Sequence, residues 1–358
     1  AINSATQFDP TMPIYSQTES QYGNGYHMSL KPDGSPIDIA LANPLAILEQ
    51  KHDNSKVLRS IGNLQMDYRM PFLPELRANL NLGYDISKSE GDVIIEDNSP
   101  MSYTWGNYKD GWGDNRTYYQ FKSNTLLDLY LNYANEVGDH RFDVMGGYSW
   151  QRFYNESEDT YPYSAAMASQ TGQEFYRELN DYSTESYVIS FFGRLNYTLL
   201  NRYLLTLTVR NDGSSRFSPD NKWGLFPSAA FAWKINEEEF MQDQNLFSDL
   251  KLRLGYGVTG QQNLGSGDYP WMGRYSYSQA GANYYFGDQK ISLIRPVAYD
   301  ENLKWEETTT VNAGLDFGFL NNRISGTFDV YSRTTSDLLN TVGIAAGTNF
   351  SNQLLTNV

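Results

Sequence analysis

The chain reads as all-β, the wall of an antiparallel transmembrane β-barrel, on three observations. Apolar residues recur at every second position along most of the 358 residues, which is the period of a pleated strand. The alternating segments run about 11 to 20 residues, whereas sandwich strands average roughly 5 to 6. Membrane strands need about 9 to 11 residues to cross the hydrocarbon. Finally, the connections between segments are short and long in turn, which places the long loops on one rim, as in outer-membrane barrels.

The pattern predicts ten long strands, at 57–70, 75–88, 117–136, 140–156, 184–199, 202–212, 222–235, 249–261, 306–319 and 322–338. Alternation is plain over 76–86 in the second, 127–133 in the third and 142–150 in the fourth. In the fifth, Tyr187, Ile189, Phe191, Leu195, Tyr197 and Leu199 alternate with a set that includes Ser190, Arg194, Asn196 and Thr198. In the sixth, Leu205, Leu207 and Val209 oppose Thr206, Thr208 and Arg210. The eighth sets Leu250, Leu252, Leu254, Tyr256 and Val258 against Lys251, Arg253, Gly255, Gly257 and Thr259, and 311–319 and 324–330 repeat the alternation. Short connections fall at 71–74, 137–139, 200–201 and 320–321, with 236–248 longer. Long ones fall at 89–116, 157–183, 213–221 and 262–305. Residues 1–56 form an extracellular loop region, 57–338 hold the strands and loops, and 339–358 start the next extracellular loop. With both ends on the outer side, 1–358 is expected to be part of a single larger barrel domain whose plug, N-terminal domain and C-terminal strands are absent.

Composition narrows the class. Mean hydropathy is −0.56, and no apolar run approaches the ~18 residues of a membrane helix. A β-barrel is compatible with this because its strands are apolar only on alternate residues. The net charge of −15 opposes a phosphate backbone, so no nucleic acid is expected. Cysteine is absent, which removes disulfides and thiolate metal sites. Ala1–Pro10 carries neither a basic segment nor an apolar core, so no signal peptide opens the chain.

Several blocks are similar to the SusC/RagA group of TonB-linked outer-membrane proteins. They are NPLAILEQ (43–50), LRANLNLGYD (76–85), RYLLTLTVRNDGSSRFSPDNKWGLFPSAAFAWKINEEEF (202–240), SDLKLRLGYGVTGQQ (248–262), LKWEETTTVNAGLDFG (303–318) and AGTNFSNQLLTNV (346–358). The resemblance implies an importer in the bacterial outer membrane, built on a barrel of about 22 strands around its own plug. It also implies coupling to TonB through a missing N-terminal segment and a SusD-like surface lipoprotein as partner. The cargo would be glycans, oligosaccharides or peptides. A soluble all-β glycan-binding module is the competing reading.

Individual residues then take roles. Tyr84, Trp150, Tyr197, Tyr203, Trp223 and Tyr256 are expected as interfacial girdles facing outer-membrane lipid. Arg77, Asp85, Arg194, Arg210, Asp212, Lys251, Arg253, Asp316, Asp329 and Arg333 face a wet lumen with mixed sign. Asp212–Phe217 with Pro219-Asp220-Asn221 lacks calcium-loop spacing and reads as a tight outer turn. Glu237-Glu238-Glu239 and Glu306-Glu307 read as acidic surface rather than a glycosidase pair. His27, His52 and His140 are scattered without ligand spacing. No catalytic residue, cofactor or metal is expected. Contacts to cargo or partner fall to outer-loop aromatics: Trp105, Tyr108, Trp112, Tyr161, Tyr163, Tyr269, Trp271, Tyr284 and Tyr285. Flat rings beside amides and carboxylates suit sugars, and loops carry function more often than scaffold does.

Overall fold

A computed structural model describes residues 2–17, 21–105, 111–162, 176–178, 181–241, 243–244, 246–265, 268–277, 283–345, 347 and 351–358. Its long strands are β1 (Lys51–Met70), β2 (Leu73–Ile95), β3 (Asp114–Val137), β4 (His140–Pro162), β6 (Tyr182–Leu199), β7 (Tyr203–Ser214), β8 (Trp223–Lys234), β9 (Phe247–Gln261), β14 (Glu306–Phe319) and β15 (Ile324–Ser336). They form one antiparallel sheet in that order, with the short β5 (Tyr176–Glu178) added to β4. All ten expected strands are present.

The strand ends differ from the reading of the sequence where side chains stop alternating. β1 begins at Lys51, through Lys-His-Asp-Asn-Ser-Lys, and β2 continues to Ile95. Backbone ladder bonds hold these polar ends, which no hydrophobic period can reveal. Ala1–Ile61, Asp85–Ser123 and Tyr154–Thr184 form one compact unit; Gly62–Tyr84, Asn124–Phe153 and Glu185–Val358 form another.

The first unit carries three short helices, α1 (Ile2–Gln7), α2 (Pro44–Glu49) and α3 (Pro100–Thr104). α2 starts where the Asn43 side chain accepts from the Leu45 and Ala46 amides at 3.0 and 3.4 Å, with Pro44 in the first helical position. Ser99 and Pro100 do the same for α3. Ala42 and Ile47 pack with Met101 against Ile95, a small core among the loops.

In the second unit every short connection lies at one rim of the sheet. Leu200 and Asn201 adopt φ of 55° and 56°, and the Arg202 amide donates to Leu199 at 3.1 Å, closing a tight three-residue connection. Two 3-10 turns fill the connection between β8 and β9. Within 262–305, β10 (Arg274–Tyr277) pairs with β13 (Ile294–Val297), enclosing the hairpin of β11 (Asn283–Phe286) and β12 (Gln289–Ser292). After β15, β16 (Leu339–Gly343) pairs with β17 (Gln353–Asn357). The main core of this unit joins Phe217 and Phe226 to Leu264, Leu303 and Trp305.

Candidate functional site: the two faces of the wall and its outer loops

Register turns the alternation into two surfaces. One row runs Tyr197, Leu205, Phe231, Leu254, Ala313, Val330, and the next Leu199, Tyr203, Trp233, Leu252, Leu315, Phe328. The intervening row, Thr198, Leu204, Ala232, Arg253, Gly314, Asp329, belongs to the opposite face. The first face is an unbroken run of apolar and aromatic side chains, half-buried to exposed; the second carries the charges.

On the polar face the charges cancel locally. Arg253 donates to both Asp316 oxygens at 2.8–3.0 Å and to Asp329 at 2.9 Å, and Lys251 lies 3.5 Å from Asp316. Gly314 leaves the room: a Cβ there would lie 2.3 Å from Asp329 Oδ1 and 2.7 Å from an Arg253 nitrogen. Gly314→Val is therefore expected to split this cluster and lower the unfolding midpoint, measurable in denaturant. Arg210 pairs with Asp212 at 2.7 Å and donates to Ser190 at 2.7 Å. Arg59 and Asp85 pair at 2.7 Å, and Arg77 lies 3.8 Å from Asp67. Arg194 donates to Thr208 at 3.3 Å, and Arg333 lies 6.0 Å from the Tyr331 ring centre. Eight of the ten residues expected on the wet face thus pair with an opposite charge, while Arg194 and Arg333 meet a hydroxyl and a ring instead.

Two recesses open in the first unit. One, of about 650 Å³, is lined by Met12, Tyr22, Tyr26, His27 and Met28 among others, with no charged side chain. His27 Nε2 is buried there without a partner among the described residues. Tyr26 donates to Glu49, which holds its phenol up at about 12. The other, of about 310 Å³, contains Asp53 and the Arg116–Asp159 pair, 3.0 Å apart. Neither has a motif that sequence reasoning could find.

The family description "TonB dependent receptor-like, beta-barrel" fits residues 14–358. The chain belongs to that family. The receptor wall is 44% identical over its whole length to the TonB-dependent receptor SusC of Bacteroides thetaiotaomicron, covering 36% of it. It is 31% identical over 94% of its length to TonB-dependent receptor P3 of Formosa agariphila, covering 32% of it. The fold matches the RagAB peptide importer in its "closed-closed" state with a TM-score of 0.73 at 22% identity, over 91% of this chain and 36% of that one. The chain thus spans about a third of the relatives it matches.

The described loop aromatics have separate surroundings within their own units. Trp105 caps α3 and lies 6.0 Å from Lys51 Nζ, while Trp112 is half-buried beside Gly111 and Gly113. In the second unit, Tyr269 donates its hydroxyl to the Glu185 carbonyl and Trp271 packs against the Phe217–Trp305 core, its Nε1 buried without a partner among the described residues. Tyr284 and Tyr285 stand exposed on β11. Tyr108, Tyr163 and the side chain of Tyr161 lie outside the described residues.

Three expectations need correction. Tyr84, Trp150 and Tyr256 sit in mid-strand rather than at strand ends, Tyr84 over Gly62, where a Cβ would meet its ring at 2.3 Å. Asp212 and Gly213 belong to β7, and the turn occupies 215–222 instead. Glu238 is not acidic surface. It is buried and accepts from Tyr203 at 2.5 Å, Arg202 at 2.7 Å and Trp233 at 2.8 Å, clasping the β6–β7 hairpin end to β8. Three adjacent glutamates in a row gave no signal of which one points inward.

The Tyr203 hydroxyl first, then the Trp233 indole and Arg202, hold the Glu238 carboxyl below its usual range. A depressed value means the clasp stabilises the fold fully above the unfolded value, about 4.3, and loses its contribution as pH falls through the folded value. Thermal unfolding of the receptor and of Glu238→Gln against pH should show two midpoints well apart at neutral pH and converging in acid.

Proposed function

We propose that this chain is a membrane-spanning part of the barrel wall of an outer-membrane importer. Oligosaccharides or peptides pass along its polar face, received with a SusD-like lipoprotein and driven through TonB. One observation carries the reading: a sheet of ten long strands in which the six from β6 to β15 set an apolar face against a face of largely paired charges. Water on both sides would penalise the first face, and lipid on both sides would penalise the second. The RagAB peptide importer, whose fold this chain shares, supports peptide cargo, and the family resemblance of the sequence blocks keeps oligosaccharides beside it. Recognition by the exposed loop aromatics and the uncharged recess beside His27 suits either.

The whole receptor, deleted in its own host, should abolish growth on one class of oligomer, glycan or peptide, while growth on the monomers is retained. Copurification from detergent should bring a surface lipoprotein with it. Unchanged growth on every oligomer would overturn import. The purified 358-residue segment is expected to aggregate in water and disperse in detergent. If it remains monomeric and folded without detergent, the soluble glycan-binding module becomes the better account.

A further inference from the structure

The short-turn rim of the second unit breaks a local rule repeatedly. Hairpin tips with positive φ ordinarily take Asn, Asp or Gly. Here Leu200 and Leu320 occupy such positions, at φ 55° and 53°, each followed by an asparagine in the same region. A leucine gains no local hydrogen bond there and meets its own carbonyl. Leu320 is nevertheless 62% exposed, and Phe72 at the β1–β2 tip is 80% exposed. Val137 and Phe240 also lie exposed at this rim.

The tips are continuous with the hydrocarbon face. The last outward pairs of the two hairpins are Leu199–Tyr203 and Phe319–Ile324, one residue before each leucine. Tyr203–Trp233, stacked with ring centres 6.3 Å apart, and Phe247–Phe319, tilted at 5.0 Å, extend the same band sideways. The Leu200 amide donates to the Asp139 carbonyl at 2.9 Å and the Asn322 amide to the Ser248 hydroxyl at 2.9 Å, so the β3–β4 connection and the start of β9 hold the two tips in place.

We propose that Leu200 and Leu320 are membrane anchors, inserted at the boundary between acyl chains and headgroups of the leaflet on the short-turn side. They set the depth of the wall, and the aqueous ends of the strands begin at the asparagines that follow. Partition into lipid is what offsets the backbone penalty at each tip. This rests on the membrane reading above.

The test uses the full-length receptor in phospholipid vesicles, with single cysteines labelled by a nitroxide at Leu200, Leu320, Asn201 and Asn321, and at Leu207 and Val209 on the hydrocarbon face. Retained cooperative heat-unfolding of each labelled protein establishes folding. Collision with oxygen is expected to exceed collision with a water-soluble nickel chelate at 200 and 320, and the order to reverse at 201 and 321. Equal nickel access at the leucines and their asparagine neighbours overturns the anchor. So does exclusion of both reagents, which marks a protein contact. Nickel access at 207 and 209 would overturn the membrane reading itself. As a second readout, Leu200→Asn with Leu320→Asn relieves the backbone and should stabilise a tip that lies in water. The anchor predicts a lower unfolding midpoint in vesicles, and a raised one contradicts it.

Discussion

Phe217→Ala is expected to destabilise the receptor by about 3–5 kcal/mol, the range for deleting a fully buried aromatic ring. Phe217 is 2% exposed and its ring centre lies 5.2 Å from that of Trp305, which in turn meets Phe226 edge-on at 5.4 Å. The Trp305 indole donates to the Lys222 carbonyl at 3.0 Å, so the cluster also ties β14 to the β7–β8 connection. Leu264, Leu303, Leu339 and Leu355 close around it, from segments far apart in the chain. An alanine would leave a cavity that these leucines, fixed by their own packing in the cluster, fill only in part. Phe217→Leu should lose much less, because volume is largely kept. The check is unfolding in denaturant with the receptor in vesicles, with proteolysis of 262–305 as a local readout. A loss under about 1 kcal/mol would mean that the outer connections are held independently of this core.

Leu254→Arg is expected to cost about 2–4 kcal/mol, the penalty for a basic side chain on the lipid face at mid-membrane. Leu254 is the centre of β9, flanked on the hydrocarbon face by Phe231 and Ala313. Its neighbour Arg253 already places a guanidinium on the other face, paired to Asp316 and Asp329. The contrast is therefore within one dipeptide, and strand propensity is common to both positions. Thr310→Arg, on the polar face, should cost far less in the same vesicles. Equal losses at Leu254 and Thr310 would remove lipid from the outward face and leave the importer reading without its support.

The site was legible unevenly, for physical reasons. Arg253 and Asp316 could be assigned to the lumen-side set because a period of two sorts side chains by parity alone. Their pairing could not, since it depends on β9 lying beside β14 across the intervening connection of 262–305. Glu238 shows the same limit at shorter range. Its three donors sit on Arg202, Tyr203 and Trp233, brought together only when β7 and β8 pair. Loop aromatics were the least legible, because aromatic content marks a candidate without saying whether it is anchored, as Tyr269 is, or displayed, as Tyr285 is.

By itself the sequence determined the ten long strands, the two faces and the short connections, since each follows from local geometry repeated along the chain, but not the short strands inside the long loops. It also carried the family, through blocks whose order spans nearly all 358 residues. Only the tertiary structure decided what those blocks do together. Phe217 and Trp305 lie in separate blocks and Leu264 two residues beyond a third, and they become one core because the sheet brings their connections to one place. Burial, charge pairing and clasping are properties of neighbours across strands, and a one-dimensional pattern contains parity but not neighbours.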